Sequence, residues 1–319
     1  MNVHDQLSFS LCSNKTKAAV KSLNLKAEDI VFVISDRNAI EFLIVFDDST
    51  MLQCDMIHYS FFRGRYVRNQ EFETPNCICV TSHKHKSAWS IKNMGVANWL
   101  YHLCEVFHHA KVGSLSIEYQ QIDVGFIEPI QKVINGLPLL DLDFSDLSEK
   151  KEFQLKALEK FPLYEELFMN EDGFDKNEID KIVIQNLTKL YISRANQINI
   201  NQLLLSNCEE FEFDFLFLTR KDLKRFFNMW IRGPNPRIKY FHVRFQPELN
   251  DGSLDEEIIF KNIKHTRIPL DSQEIQRRKM SDGSCEETKL SGGFKIKRVN
   301  GTCAVIVFIR QSFKFIVVE

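Results

Sequence analysis

Cysteine and histidine are the residues of this chain best able to do chemistry, at eight and nine copies. Cys77-Ile-Cys79 is followed by His83-Lys-His85, with Cys54 and His58 upstream. Thiolates and imidazoles ligate zinc, but finger-type pairs are separated by about two to four residues, which this cluster does not reproduce. In a strand, Cys77 and Cys79 point to one face, which suits a core equally well. His108-His109 and Cys104 read as the terminal turn of a helix and its core. A Cys–His nucleophilic pair can be assembled from any chain this rich in both, so that signal is not specific. No Walker loop, GxGxxG, GxSxG or HExxH occurs. No glycine-rich strand–helix junction offers to cradle a phosphate. The expectation is a non-enzymatic protein with no metal and no cofactor; a Cys/His metal protein is the alternative.

Carboxylates recur in a pattern. Six runs alternate apolar-x-apolar: Leu115-Ser-Ile117, Leu140-Asp-Leu142, Leu167-Phe-Met169, Leu190-Tyr-Ile192, Phe211-Glu-Phe213 and Phe241-His-Val243. In a strand, the middle residue and the one after the second apolar point away from a helix layer. Stacked in parallel, such strands expose one surface carrying Glu118, Asp141, Asp143, Glu212 and Asp214, interleaved with Phe168 and Tyr191, and ending at His242 and Arg244. An acidic face with aromatic anchors suits a basic protein segment better than nucleic acid. The plainer alternative is that these charges only keep an open sheet face soluble.

The elements that must position this face follow from the same runs. Their first positions lie 21 to 30 residues apart, and a helical segment precedes each, weakest at Asn199–Leu205. Strand–helix units of about 20–29 residues are in the leucine-rich-repeat range, and such units stack because none buries its apolar face alone. Leu223, Phe226, Phe227 and Trp230 sit at i, i+3, i+4 and i+7, and Gly233-Pro234 stops that helix. Ile30–Ser35, Glu41–Phe46 and Met51–His58 predict a β-meander, with Asp36-Arg37-Asn38 and Asp47-Asp48-Ser49 as its turns. Phe61, Phe62, Tyr66 and Val67 could be strand, Cys77–Val80 reads as strand, and His83–Lys86 as a polar connection. A helical pattern starts at Ser87, with Trp99, Leu100, Leu103, Cys104 and Phe107 on one face. Leu270–Gly293, with Arg277-Arg278-Lys279, reads as a flexible loop. Phe294–Val299, Thr302–Ile309 and Ser312–Val318 predict a second meander, its first two strands joined at Asn300-Gly301. The two meanders are candidates to pair with one another.

Composition bounds the class. The chain has 319 residues, 44% hydrophobic and 26% charged, with a formal charge of −2. That is the balance of a globular protein with a buried core, and not of a disordered or strongly basic one. Phe is abundant at 27 residues, and Gly at 12 is scarce for an enzyme with phosphate loops. Met1–Leu11 lacks the basic and apolar regions of a secretory leader, and no run approaches the ~18 apolar residues of a membrane span. The cysteines therefore read as reduced thiols in an intracellular protein, cytoplasmic or nuclear.

The sequence also resembles a known family. Leu7 to Leu23, through Ser13 as a helix N-cap, resembles the last helix of an F-box of the large nematode F-box family. Leu187–Ser193, Asn201–Cys208 and Leu218–Tyr240 resemble the type 2 F-box-associated domain. The distinctive part is a Trp one turn after an LxxFF pattern, then Gly233-Pro-Asn-Pro-Arg237 and a strand. With Trp99-Leu-x-His-Leu-Cys104, the resemblance covers nearly the whole chain. It implies a substrate adaptor of an SCF-type ubiquitin ligase, bound to a Skp-type adaptor and the cullin complex, which does no chemistry itself. Leu7, Phe9, Leu11 and Val20 would then contribute to the adaptor contact. The match begins in the last third of an F-box, so the interface would be a fragment, truncated, mis-assigned or no longer functional. The plainer reading of these residues is a helix packed on the meander, in a stand-alone interaction module.

The fold expected is α/β: an irregular leucine-rich-repeat-like strand–helix array flanked by N- and C-terminal β-meanders, behind a short helical F-box remnant. The segments are 1–25 (partial F-box), 26–86 (β-rich block), 87–250 (F-box-associated region), 251–293 (linker or loop) and 294–319 (C-terminal meander). The expected partners are the Skp-type adaptor with its cullin complex and a basic protein target, with neither nucleic acid nor membrane.

Overall fold

The computed structural model describes residues 2–35, 39–47, 50–57, 72, 75, 77–83, 85–90, 93–161, 164–171, 173–195, 198–216, 218–233, 237–245, 256–269, 274–279, 285–290, 292–309 and 312–318. The chain is mixed α/β and forms two compact units, Met1–Tyr164 and Glu165–Glu319.

Unit 1 opens with two short helices, α1 (Val3–Ser10) and α2 (Asn14–Ser22). Ser13 caps α2 in a reciprocal box with Thr16, as expected of it as a helix N-cap. Strands β1 (Asp29–Ser35), β2 (Ala39–Val45) and β3 (Met51–Ile57) form the expected meander. Their alternate residues Ile30, Phe32, Ile34, Ile40, Phe42, Ile44, Leu52 and Met56 are buried on one face. The expected turns at 36–38 and 48–49, and the expected strand around Phe61–Val67, lie outside the described residues. Strand β4 (Cys77–Ser82) pairs with β3, and β5 (His85–Trp89) with β4. Here the structure corrects the sequence in part: His83 is at a turn after β4, but His85 and Lys86 belong to β5, and no helix starts at Ser87. Helix α3 begins only at Val96 and runs to Val106. Strand β5 is mostly exposed, so it carries little of the apolar alternation that identifies a strand. Then come β6 (Val112–Ile117), α4 (Ile127–Ile134), β7 (Leu139–Asp143) and α5 (Lys151–Lys160). Strand β6 is parallel to both β1 and β7.

Unit 2 continues the alternation with β8 (Glu166–Asn170), α6 (Lys176–Val183), β9 (Lys189–Ser193), α7 (Ile200–Leu205), β10 (Glu210–Asp214), α8 (Arg220–Arg232) and β11 (Tyr240–Arg244). Strands β8 to β11 are parallel neighbours. The weak segment before β10 is indeed a helix. Its cap, Asn199, accepts from the amides of Asn201 and Gln202, while Gln202 Oε1 accepts from Asn199 N. After α9 (Glu256–Phe260) and β12 (His265–Ile268) comes an antiparallel pair, β13 (Glu274–Lys279) with β14 (Cys285–Leu290). The stretch expected as a linker and flexible loop therefore contains regular elements. Its backbone places Arg277 opposite Glu287 and Arg278 opposite Glu286. The final meander, β15 (Gly293–Lys297), β16 (Cys303–Ile309) and β17 (Ser312–Val318), is as expected. Each meander finds its partner inside its own unit: β17 lies antiparallel to β11, and β1 beside β6.

Phenylalanine fills the unit 2 core. Phe226 of α8 lies 5.2 Å from Phe241 and 5.3 Å from Phe315, both edge-on, and Phe241 lies 5.0 Å from Phe313. Such packing adds about 0.5–1.5 kcal/mol per pair beyond area burial.

Candidate recognition face

The nine residues predicted for one face divide between the units: Glu118, Asp141 and Asp143 in unit 1, the other six in unit 2.

In unit 1, Asp141 stands opposite Ser114 and Asp143 opposite Ser116. Asp143 Oδ1 accepts from Ser145 N at 2.9 Å and Ser145 Oγ at 2.6 Å, so this carboxylate organises the turn after β7. Burial pushes its pKa up, while the Ser145 bonds pull it down. Glu118 is exposed, just past β6. The register adds two acids that the repeat search missed. Ser116 lies beside Val33, Val33 opposite Glu41, and Glu41 opposite Asp55. Gln53 Nε2 donates to Glu41 at 3.2 Å and to Asp55 at 3.0 Å. Alternation in Ile40-Glu41-Phe42 and in Cys54-Asp55-Met56 is the signal that marks them.

In unit 2, one row crosses the sheet as Phe168, Tyr191, Glu212, His242 and Lys314. The next row ends in Asp214 beside Arg244. These side chains satisfy one another. Arg244 grips Asp214 through Nε on Oδ1 and Nη2 on Oδ2, the latter at 2.7 Å. Tyr191 donates its hydroxyl to the same carboxylate at 2.9 Å. Burial first, and then Asp214, push the Tyr191 pKa up to about 12. Lys189 Nζ lies 3.0 Å from Glu212 Oε1 and 5.2 Å from the centre of the Phe168 ring. His242 Nδ1 is 4.0 Å from Glu212 Oε2. The cations Lys189 and Lys314 escaped the sequence reading, because only the register places them among the predicted acids.

Residues past the strands extend the sheet bonding. Arg194 and Phe215 take positive φ of 54° and 60°. The turns direct Ala195 N to Asp214 O at 2.9 Å and Phe215 N to Arg244 O at 2.7 Å.

The four residues predicted to meet an adaptor do not share a surface. Leu7 and Val20 are buried at 0% and 2% exposure, Leu11 is half-buried, and Phe9 is 44% exposed. Leu23, just past α2, is a large apolar side chain exposed at 56%.

The Cys/His cluster is dispersed. Cys54 faces the core, while Cys77 and Cys79 alternate to the other face. His85 stacks on His4, and His58 lies outside the described residues. Among the described residues, no group of three or more His, Cys, Asp or Glu side chains is placed to hold a metal. His108 and His109 bond the carbonyls of Lys21 and Ala27.

The residues that carry the resemblance are architectural. Leu223, Phe226, Phe227 and Trp230 are all buried. Gly233 ends α8 at φ 113°, a conformation that glycine adopts without strain. Arg298 donates to Gly233 O, with its guanidinium 5.5 Å over the Trp230 ring. Arg237 reaches Glu209, ahead of β10, at 3.0 Å.

Residues 178–243 match the family described as F-box associated. That stretch is similar to an F-box-associated domain. The matched stretch runs from inside α6 to β11, and so contains Tyr191, Glu212, Asp214 and His242. The chain is also similar to the F-box associated domain-containing protein sdz-33 of Caenorhabditis elegans. The two are 23% identical over 282 residues, covering 87% of this chain and 85% of that protein. No solved structure matches. Among the described residues, no helix is long and apolar enough to cross a membrane.

Proposed function

We propose that this F-box-associated domain protein is a non-enzymatic recognition subunit of an SCF-type ubiquitin ligase, holding its target on the open sheet face of unit 2. The observation that carries this reading is the surface network of Tyr191, Asp214 and Arg244, the first two inside the matched stretch and Arg244 one residue past its end, backed by a buried aromatic core. Preorganised aromatic and arginine side chains suit protein contacts. The carboxylates there are already matched by the chain's own cations, so Phe168 and Tyr191, rather than net negative charge, supply the attraction. The strand–helix array acts as a leucine-rich-repeat-like support of irregular period. Two buried thiols support the non-enzymatic reading: burial raises Cys104 to about 11 and Cys208 to about 12, away from nucleophilic thiolate.

The Skp-type adaptor, and through it the cullin, would be met at Phe9, Leu11 and Leu23. Burial of Leu7 and Val20 favours a second reading, a stand-alone interaction module. Binding of a purified Skp-type adaptor to the full chain separates the two. Micromolar or tighter binding that a Phe9/Leu11/Leu23→Ala variant loses supports the ligase subunit. No binding by the intact chain leaves the stand-alone module.

A further inference from the structure

Helix α1 is fastened to unit 1 by imidazole contacts at both of its ends. At its C-terminal end, buried Ser10 places Oγ 2.8 Å from Nε2 of His102 on α3. The same hydroxyl donates to the carbonyl of Leu7 at 2.7 Å. It therefore accepts from His102, and the neutral ring keeps its proton on Nε2. At the N-terminal end, His4 is 6% exposed, and neither ring nitrogen has a hydrogen-bond partner. Its ring stacks 5.5 Å from His85 and lies 5.7 Å from Trp89, both on β5. Asn2, which caps α1, reaches Nε2 of His85 at 3.2 Å.

We propose that α1 is a proton-released latch: acidification detaches Val3–Ser10 from unit 1 and bares the apolar surface it covers. The Ser10 contact encloses His102 as an uncharged ring. A further proton on His102 creates a cation in a buried site. Lys17 from α2 and Lys132 from α4 line the same cavity of about 510 Å³, with Glu105 of its own helix opposing them. Glu105 is itself held by Lys17 and by Lys21, the latter at 2.8 Å. Burial, and then Lys17, lower the His102 pKa to about 4, with Glu105 offsetting part of the effect.

The sign follows. With α1 detached, His102 meets water and titrates near its ordinary 6.5. The docked form therefore binds fewer protons between 6.5 and about 4. Docking is at full strength above that window and weakens by up to about tenfold per pH unit within it. At the other end, the groups facing His4 are Asp5 of its own helix, with Oδ1 3.7 Å from Nδ1, and His85 and Trp89 of β5. Strand β4, which α1 also meets, turns Ile78 and Val80 to the core and its thiols Cys77 and Cys79 to the opposite face. Opening α1 also uncovers Leu7.

Hydrogen exchange on the full chain tests this, with protection of residues 3–10 followed from pH 7.5 to 4.5 against α8 as internal reference. Protection of 3–10 is expected to fall by up to about tenfold per unit below pH 6.5 while α8 holds. His102→Gln, which keeps a donor for Ser10 and takes no proton, should lower that slope. Ser10→Ala should lower protection at every pH and keep the slope, which covers the case where His102→Gln folds poorly. Constant protection across the range, or an equal fall in His102→Gln, overturns the latch. No adaptor is present in this assay, so its result is independent of adaptor binding.

Discussion

The open faces of the two units arise from the same alternation but differ in what stands opposite what. In unit 1, register sets Glu41 against Asp55, two carboxylates bridged by the amide of Gln53. In unit 2, it sets Asp214 against Arg244 and brings Lys189 to Glu212. Like charges directly opposite destabilise a sheet, and opposite charges stabilise it. One face is thus built partly against its own electrostatics and the other with it. Composition along a strand decides which residues face outward; strand register decides whether they attract or repel.

The comparison breaks most completely if the support beneath the unit 2 face is removed. Phe241 is fully buried and meets Phe211, Phe213, Phe226 and Phe313 edge-on. Phe241→Ala should cost about 3–5 kcal/mol. Urea unfolding followed by Trp fluorescence reads this out, and a loss below about 1 kcal/mol would contradict a packed core under the face.

A smaller effect isolates the network itself. Asp214→Ala strips the partner from Arg244 and from the Tyr191 hydroxyl. Arg244 is more than half exposed, so water screens the pair, and the cost should be about 1 kcal/mol. A double-mutant cycle with Arg244→Ala should return most of that as coupling. The phenol supplies a pH signature. Its folded pKa, about 12, lies above the ordinary 10. The contribution of Tyr191 is therefore complete below pH 10 and is lost as pH rises through about 12. Phenolate absorbance should show one late-ionising tyrosine, absent in Tyr191→Phe and shifted back toward 10 in Asp214→Ala.

Much of this architecture was readable from the sequence, because the signals were apolar and local. The stripe of α8, the cap at Ser13, the six alternating runs and the Asn300-Gly301 hairpin each combine a buried pattern with a turn or cap. The misreadings share a cause. Strand β5 is mostly exposed, and β13 and β14 are polar in sequence, so none carries an apolar alternation to read. The face was legible as a set of outward positions but not as a network. Tyr191 and Asp214 are 23 residues apart, and only strand register joins them. The same holds for Glu41 and Asp55, which a search restricted to the repeated strands passed over. At the N-terminus, sequence pattern could not separate buried Leu7 from exposed Phe9, since both are apolar residues on one short helix.

The smallest effect sharpens the contrast most. Asp143 in unit 1 has a pKa raised by burial, so its folded state favours the protonated form. Its contribution is most favourable at low pH and diminishes as pH rises through the folded pKa, leaving a net charge penalty near neutrality. Asn keeps an oxygen to accept the two Ser145 bonds while removing the charge. Asp143→Asn should therefore be neutral or stabilising by a few tenths of a kcal/mol at pH 7, about the scale of a surface charge effect. Asp214→Asn, which gives up half of a bidentate arginine contact, should be destabilising under the same conditions. Two Asp→Asn substitutions on outward positions of parallel strands would then differ in sign. If both destabilise equally, the two faces are electrostatically alike, and the unit 1 carboxylates owe their place to hydrogen bonding alone.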